Sequence, residues 1–489
     1  MGWAWTAALC VLGLALAAAG VAAAAEAPGD AGGAGGGPEA VDLPEGMSPS
    51  ANALARPEAL KPFWDALSVT ARGGRAVVLH LGDSHLQSDL LSRPLRRDFQ
   101  ARFGDAGRGL VFPYSVAHTT EAEDVVDESS AAWIARRGSV RAPADAPDLD
   151  PGLSGFALLT RECPWVLRLG LKDGETFDRV TVFRRSGPEA SALAVSLHAD
   201  PEVLERAGAV TRDVLHIVRP GDTLYALARA NGVKVPQLLK WNRLEDSGIW
   251  PGDRLVVGHR REAAAGPLPG GFEDVGILPG GAEAPFEASV SLPRPVSDVF
   301  LRAAAPLSPG ASCVSVLDGL VLEHAGASGV LYHAAGVNGA QARHFARSPR
   351  FLDEAHSLKP DLLILSFGTN ESDGGDEAVA ALVPALEKLA AALATGGTGV
   401  LVTTPPDGLA WNGRRNPRIA RVAQVLREAA AAHGWALWDW NAVMGGAGTA
   451  RRWRALGLME RDGVHCTAAG YRLQERFLWK ALMEAYERR

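Results

Sequence analysis

Apolar and polar positions alternate along this chain in different ways, and the changes of pattern mark out its parts. From Arg75 the run Ala76-Val77-Val78-Leu79-His80-Leu81 is nearly all apolar and ends at Gly82, and Leu90 to Phe103 follows with apolar residues at helical spacing. That pattern predicts a buried strand, a tight loop and a helix. The same alternation returns only much later. Gly329 to Ala335, Asp361 to Phe367, Gly399 to Thr404 and Ala436 to Trp440 read as strands. Asp376 to Leu393, Pro417 to Ala432 and Thr467 to Tyr486 read as helices, the last with Thr467 as its N-cap. Strands alternating with helices predict an α/β domain with a mostly parallel sheet covered on both faces.

Between these two stretches the period changes. Trp165 to Leu169, Val180 to Phe183, Leu193 to Leu197 and Phe300 to Arg302 are short strand patterns separated by turn residues, which predicts a β-sandwich module. A segment of different composition interrupts it. The expected organisation is therefore nested: an α/β domain over 61–112 and 329–489, a β-sandwich module over 113–210 and 283–328, a small domain at 215–258 and a return linker at 259–282. Ahead of all this, Ala27 to Pro38 carries glycines at 32, 33, 35, 36 and 37, and 26–60 reads as a flexible linker. Residues 1–25 contain no charged side chain and are small and apolar, as in a secretory signal peptide, although an n-region Lys or Arg is missing and a membrane anchor is the competing reading. The expectation is export, giving a secreted or periplasmic protein with no stable membrane insertion after cleavage.

Composition narrows the function classes. With 489 residues, a soft prior of about three domains applies. Hydrophobic residues at 47% and charged residues at 21% exclude a wholly disordered, collagenous or coiled-coil chain. The 49 basic and 56 acidic residues leave a formal charge of -7 with no basic block, which argues against nucleic acid as a partner. Beyond the leader, Cys163, Cys313 and Cys466 are too scattered for a C-x-x-C metal pair. In an oxidising compartment Cys163 and Cys313 could form a disulfide, a geometry that sequence does not fix.

Candidate chemistry lies in four loops. Gly82-Asp83-Ser84-His85 follows the first strand, where open α/β sheets place their active sites, although Ser84 alone would equally serve as a helix cap. Gly336-Val337-Asn338-Gly339 and Gly368-Thr369-Asn370-Glu371 follow two later strands, and Asp462-Gly463-Val464-His465 precedes the last helix. Each alone is ordinary turn chemistry. Together, in this order, they resemble the SGNH hydrolases, also called GDSL-type esterases, over residues 75 to 112 and 329 to 489. The resemblance implies a flavodoxin-like three-layer sheet, with Ser84 as nucleophile and Asp462 and His465 as the D-x-x-H pair. It also implies an oxyanion hole from Ser84, Gly339 and Asn370. His85 departs from the family motif, which has Leu after the serine. A serine hydroxyl needs a base to take its proton, an aspartate holds that imidazole, and N–H donors receive the oxyanion, so these residue types suit ester hydrolysis without a metal or organic cofactor. Glu371, Asp373 and Asp376 form an acidic cluster that reads as a solvated loop, not as a glycosidase pair. No G-x-S-x-G elbow surrounds Ser84, and no phosphate-binding glycine loop is found.

Two further resemblances bear on substrate. Val218-Arg219-Pro220-Gly221-Asp222-Thr223-Leu224, Asn242 and Trp250-Pro251-Gly252-Asp253 look like a LysM domain, a βααβ unit that binds N-acetylglucosamine-containing glycans such as peptidoglycan or chitin. By that resemblance Gly221, Asp222, Thr223, Leu224 and Asn242 are the expected glycan-binding residues. The stretch from Gly82 through Phe103-Gly104-Asp105-Ala106-Gly107-Arg108-Gly109 to Pro113, with a β-module inserted after it, is similar to bacterial peptidoglycan O-acetylesterases. The resemblances together imply a wall-associated esterase that removes O-acetyl groups from peptidoglycan. An acetyltransferase, an esterase for another acetylated polysaccharide and an inactive wall-binding protein stand as alternatives.

Overall fold

The computed structural model describes residues 44, 46–140, 149–197, 210–219, 222–231, 233–242, 244, 248–262, 271–303, 313–410 and 413–489. The expected leader at 1–25, the glycine-rich tether as far as residue 43, and Gly221 lie outside the described residues.

The α/β sheet has six strands in the order Leu54–Ala55, Ala436–Trp438, Gly399–Thr403, Leu362–Ser366, Arg75–Gly82 and Gly329–Gly336. The last five are mutually parallel, and Leu54–Ala55 adds an antiparallel edge. Numbering those five along the chain gives the flavodoxin-like order 2-1-3-4-5, whose switch point lies between the Arg75–Gly82 and Leu362–Ser366 strands. Period-two alternation explains why both faces are covered. Leu362 and Ile364 point into an apolar layer with Phe63, Trp64, Phe99 and Leu482 from three helices. Leu363 and Leu365 point into the opposite layer with Leu386, Leu389, Val422 and Leu426.

The predicted helix over 376–393 is two helices, Gly375–Ala380 and Leu382–Leu393. Pro384 has no N–H to offer the Ala380 carbonyl, so the helical ladder breaks there. The helix at Pro417–Ala432 and the terminal helix Ala468–Glu487 follow the expected pattern, and the Thr467 side chain accepts from the Gly470 N–H as an N-cap.

The inserted module is a sandwich of two antiparallel sheets. One runs Asp274–Leu278, Leu193–Ser196, Asp298–Ala303, Trp165–Leu171, Val125–Ser129, and the other Glu287–Val296, Phe177–Arg184, Ser315–Glu323, Phe156–Thr160, Ile134–Arg137. Cys163 and Cys313 are joined by a disulfide with Cα atoms 6.1 Å apart. The small domain is the expected βααβ unit: strands Val210–Ile217 and Arg254–Glu262 pair antiparallel around helices Leu224–Ala230 and Val235–Asn242. Its apolar centre, built on Val218, Leu224, Leu227, Leu238, Leu255 and Val257, is its own. No helix of the described residues is long and apolar enough to cross a membrane.

Two expectations need correcting. The flexible linker at 26–60 is structured in its described part: Leu54 pairs with Trp438, and Leu54 and Leu60 are buried. Two buried leucines among prolines and alanines are too few for periodicity to register. The return linker at 259–282 contains the edge strand Asp274–Leu278, paired with Leu193–Ser196. Only Leu278 of it is buried, so the apolar signal that betrays a strand is missing.

The first helical turn after the Arg75–Gly82 strand is seated directly on Gly336. A Cβ at that position would lie 2.3 Å from the Gln87 nitrogen and 2.6 Å from the Leu86 carbonyl carbon. Gly336→Ala is expected to destabilise the protein by about 1–3 kcal/mol through overpacking, read from urea unfolding. An unchanged midpoint would show that the turn can move aside.

Candidate active site

Sheet register brings three of the four loops to one level. Gly336 pairs with Gly82, and Gly82 pairs with Ser366, so the strands before Gly339, Ser84 and Asn370 end side by side. Ser84 opens the short helix Ser84–Gln87, and the cap is the preceding residue: Asp83 Oδ1 accepts from the His85 N–H at 3.0 Å. That leaves the Ser84 hydroxyl for another partner. It lies 2.8 Å from His465 Nε2. His465 Nδ1 is 2.7 Å from Asp462 Oδ2, and Asp462 Oδ1 accepts from the N–H groups of Val464 and His465 at 2.8 and 3.0 Å. A carboxylate only accepts, so Nδ1 carries the proton and Nε2 presents its lone pair to the Ser84 O–H. Burial pushes the Asp462 carboxyl up, but the hydrogen bond from the His465 ring and the two backbone donors outweigh it and hold the group below its ordinary value. The arrangement can take a proton from a serine hydroxyl and stabilise the imidazolium that results.

Gly339 sits in a turn with φ +73°, a conformation that favours glycine, and its N–H has no backbone acceptor among the described residues. The Asn370 side-chain amide donates to the Ala340 carbonyl at 2.9 Å, tying the Asn370 loop to the Gly339 turn and leaving its second amide hydrogen. Gln87 bridges the remaining gap: its Oε1 accepts from the Asn338 N–H at 2.6 Å.

His85 has a defined place. It is buried, its Nδ1 is 2.8 Å from the Tyr471 hydroxyl, and its ring centroid is 5.3 Å from that of His465. Burial first, then the neighbouring His465 charge, lowers its pKa to about 3, so it stays neutral behind the second imidazole. Burial likewise raises the Asp83 carboxyl to about 6, partly offset by the His85 N–H.

The acidic cluster departs from the solvated loop expected of it. Glu371 is buried and accepts from the Ala342 N–H at 2.8 Å, and desolvation lifts its pKa to about 7. Asp373 accepts from Asn416 at 2.9 Å, while Asp376 does face solvent beside Arg421. Glu371 reads from sequence only as part of a solvated acidic loop, and Gln87, two residues past the Gly82-Asp83-Ser84-His85 block, carries no sequence signal of its role.

In the small domain the expected contact residues mostly hold the fold. Asp222 Oδ2 accepts from the Arg219 N–H at 2.8 Å and meets His216 Nε2 at 2.7 Å. The Thr223 hydroxyl caps the Ala226 N–H at 3.1 Å, and Leu224 is in the apolar centre. Asn242 pairs its amide with both the N–H and the carbonyl of Val256, at 2.6 and 2.8 Å, so it acts as a strut. The large exposed apolar side chains there are Leu215 and Ile217 on the first strand and, more fully, Tyr225 and Trp250, at 71% and 75% relative exposure.

Comparison with known proteins bears on the domains and the fold. Residues 305–473 match the GDSL-like lipase/acylhydrolase family, and residues 216–258 match the LysM domain. The first match includes Gly339, Asn370, Asp462 and His465 and leaves out Ser84, which precedes the insertion. No curated protein matches the chain. Among solved structures, a peptidoglycan O-acetylesterase is 21% identical and superposes with TM-score 0.59, covering 89% of this chain and 99% of that one. A lipase/acylhydrolase from Enterococcus faecalis is 25% identical, with TM-score 0.27 over 33% of this chain and 77% of that one. A catalytic mutant of an acetylxylan esterase from Geobacillus stearothermophilus is 17% identical, with TM-score 0.26 over 32% of this chain and 73% of that one. The O-acetylesterase likeness is one of fold.

The neutral, buried His85 has a measurable consequence. Its folded pKa of about 3 lies below the ordinary 6.5, so between those values the unfolded chain binds more protons and stability falls as pH falls. His85→Gln cannot titrate. The wild type should lose stability relative to this variant between pH 7 and pH 4, in paired urea titrations. A pH-independent difference would mean that His85 protonates freely in the folded protein.

Proposed function

From a chain that carries a GDSL/SGNH-type esterase domain together with a LysM domain, we propose an exported, cell-wall-associated serine esterase that removes O-acetyl groups from peptidoglycan. The observation that carries the reading is the unbroken hydrogen-bonded chain from the Ser84 hydroxyl through His465 to Asp462 at the sheet's switch point.

The Ser84 oxygen attacks the acetyl carbonyl carbon while His465 Nε2 takes the hydroxyl proton. Asp462 keeps the imidazole in the tautomer that can accept it and stabilises the resulting charge. Negative charge builds on the former carbonyl oxygen, where the N–H groups of Ser84 and Gly339 and the second amide hydrogen of Asn370 receive it. Collapse breaks the bond to the sugar oxygen, which leaves as an alcohol with the proton from His465 and leaves acetyl-Ser84. Water then attacks the acetyl-enzyme, giving its proton to His465. Acetate departs and Ser84 regains its hydrogen.

Two features favour peptidoglycan over other acetylated polymers. The O-acetylesterase that resembles this chain along 89% of its length acts, by its name, on peptidoglycan. The LysM domain belongs to a class that binds glycans rich in N-acetylglucosamine. Held on the same chain as the esterase, it raises local substrate concentration without altering the chemistry.

Acetate release from O-acetylated peptidoglycan tests the assignment. Ser84→Ala should lose on the order of 10⁴-fold or more in kcat, as removal of a serine nucleophile does elsewhere. Full activity in that variant would remove Ser84 from the chemistry, and release of acetate only from xylan or chitin substrates would replace peptidoglycan as the target.

A second experiment separates binding from chemistry. Val214 and Gly258 face each other in the LysM strand pair, so residues 215–258 can be replaced by a short turn across a gap that is already closed. Hydrolysis of insoluble wall should fall while hydrolysis of a soluble acetyl ester is retained. Equal losses on both would show that the LysM domain contributes to the reaction itself.

A further inference from the structure

The peptide that joins Asn338 to Gly339 is gripped from the inserted sandwich. Ser139 follows the sandwich strand Ile134–Arg137 and donates its hydroxyl to the Asn338 carbonyl at 2.7 Å. A peptide unit is planar and trans, so the C=O of Asn338 and the N–H of Gly339 point in opposite directions from one rigid plane. Fixing the carbonyl therefore fixes the N–H. Glycine at 339 would otherwise let that plane turn at little energetic cost, since its backbone has more accessible conformations than any other residue. The preceding peptide is restrained as well, because the Asn338 N–H donates to Gln87 Oε1 and the Asn338 side-chain amide donates to the Thr120 hydroxyl, at 2.6 and 2.9 Å.

Ser139 is itself held through the residue before it. The Gly138 N–H donates to the Gly155 carbonyl at 3.0 Å within the sandwich, and the Gly138 carbonyl accepts from Arg347 of the α/β domain at 2.7 Å. The serine thus spans the boundary between the module and the hydrolase, and its hydroxyl faces the turn that carries the oxyanion donor. A Cβ on Gly339 would lie 3.8 Å from the Ser139 oxygen.

We propose that Ser139 is a positioning residue for the Gly339 N–H, so that the inserted β-module completes the oxyanion hole in addition to any role in holding the glycan. The assignment rests on the esterase reading given above. An oxyanion forms only after attack, so a misaimed donor weakens the transition state far more than the bound ester, and the loss falls on kcat and not on KM.

The test is steady-state hydrolysis of p-nitrophenyl acetate by the full-length wild type, Ser139→Ala and Ser139→Thr, with rates expressed per active site counted from the acetylation burst. Counting sites removes misfolded molecules from the comparison. Ser139→Ala should lower kcat by about 10- to 100-fold, less than the roughly 10²- to 10³-fold loss of a whole oxyanion donor, with KM within about twofold. Ser139→Thr keeps a hydroxyl and should recover most of the rate. Wild-type kcat in Ser139→Ala, a rise in KM alone, or an equal fall in both variants overturns the proposal. An inactive wild type, or an active Ser84→Ala, defeats the esterase reading and this assignment with it. An inactive Ser84→Ala beside a fully active Ser139→Ala defeats this assignment alone.

Discussion

Gly82, Gly336 and Ser366 lie abreast in three adjacent parallel strands, and the whole site inherits that alignment. Parallel strands run their chain direction the same way, so the loops after them leave from one edge and meet within a few residues. Ser84 is two residues past Gly82, Gly339 three past Gly336 and Asn370 four past Ser366. A one-residue slip of any of these strands would turn its buried leucines to the wrong layer, so the packing that stabilises the sheet also keeps the loops level. The imidazole arrives by another route. His465 lies just ahead of the terminal helix, whose Tyr471 reaches the His85 ring beside Ser84, so the helix that follows the imidazole is tied to the turn that carries the hydroxyl.

Much of this was legible in the sequence because it is local. The strand at Arg75–Gly82 and the helix at Pro417–Ala432 announce themselves by apolar periodicity, and Thr467 by its place before a helical run. Ser84, Asn370, Asp462 and His465 were recognisable because each sits in a short block with its own spacing, and the aspartate and histidine share one turn. What escaped was the non-local part. Gln87 looks like any polar residue on a helix, and only the folded chain shows that its amide meets Asn338, Thr119 and Thr120. Glu371 looked solvated because acidic residues usually are, yet desolvation and the Ala342 N–H define it.

The LysM residues show the same limit from the other side. A recurring motif marks positions that recur, and these include residues that fix the fold as well as residues that touch a ligand. Asn242 is the clearest case: its amide oxygen accepts from the Val256 N–H and its NH₂ group donates to the Leu238 and Val256 carbonyls, so the side chain ties helix to strand. Trp250, by contrast, sits at the head of a Pro-Gly-Asp turn with no hydrophobic period around it, and the folded domain leaves its ring exposed.

Nesting three modules in one chain would be costly if each insertion had to close a wide gap. Both insertions avoid it. The LysM domain enters and leaves the sandwich through strands that pair with one another from Val210 with Glu262 onward. The sandwich enters after Gly109–Val111 and leaves through Ser315–Glu323, and these strands are also paired, Leu322 opposite Gly109 and Leu320 opposite Val111. Loop-closure entropy grows only slowly with the length inserted, so a paired base makes even a long excursion tolerable. It also makes the base stiff. A module clamped by an antiparallel pair immediately upstream of the Gly329–Gly336 strand is held in fixed relation to the turn after that strand, and a turn residue of the module, such as Ser139, can then meet the Asn338 carbonyl at hydrogen-bond distance. The same nesting that separates Ser84 from the other motif blocks in sequence is what lets the inserted domain contact them in space.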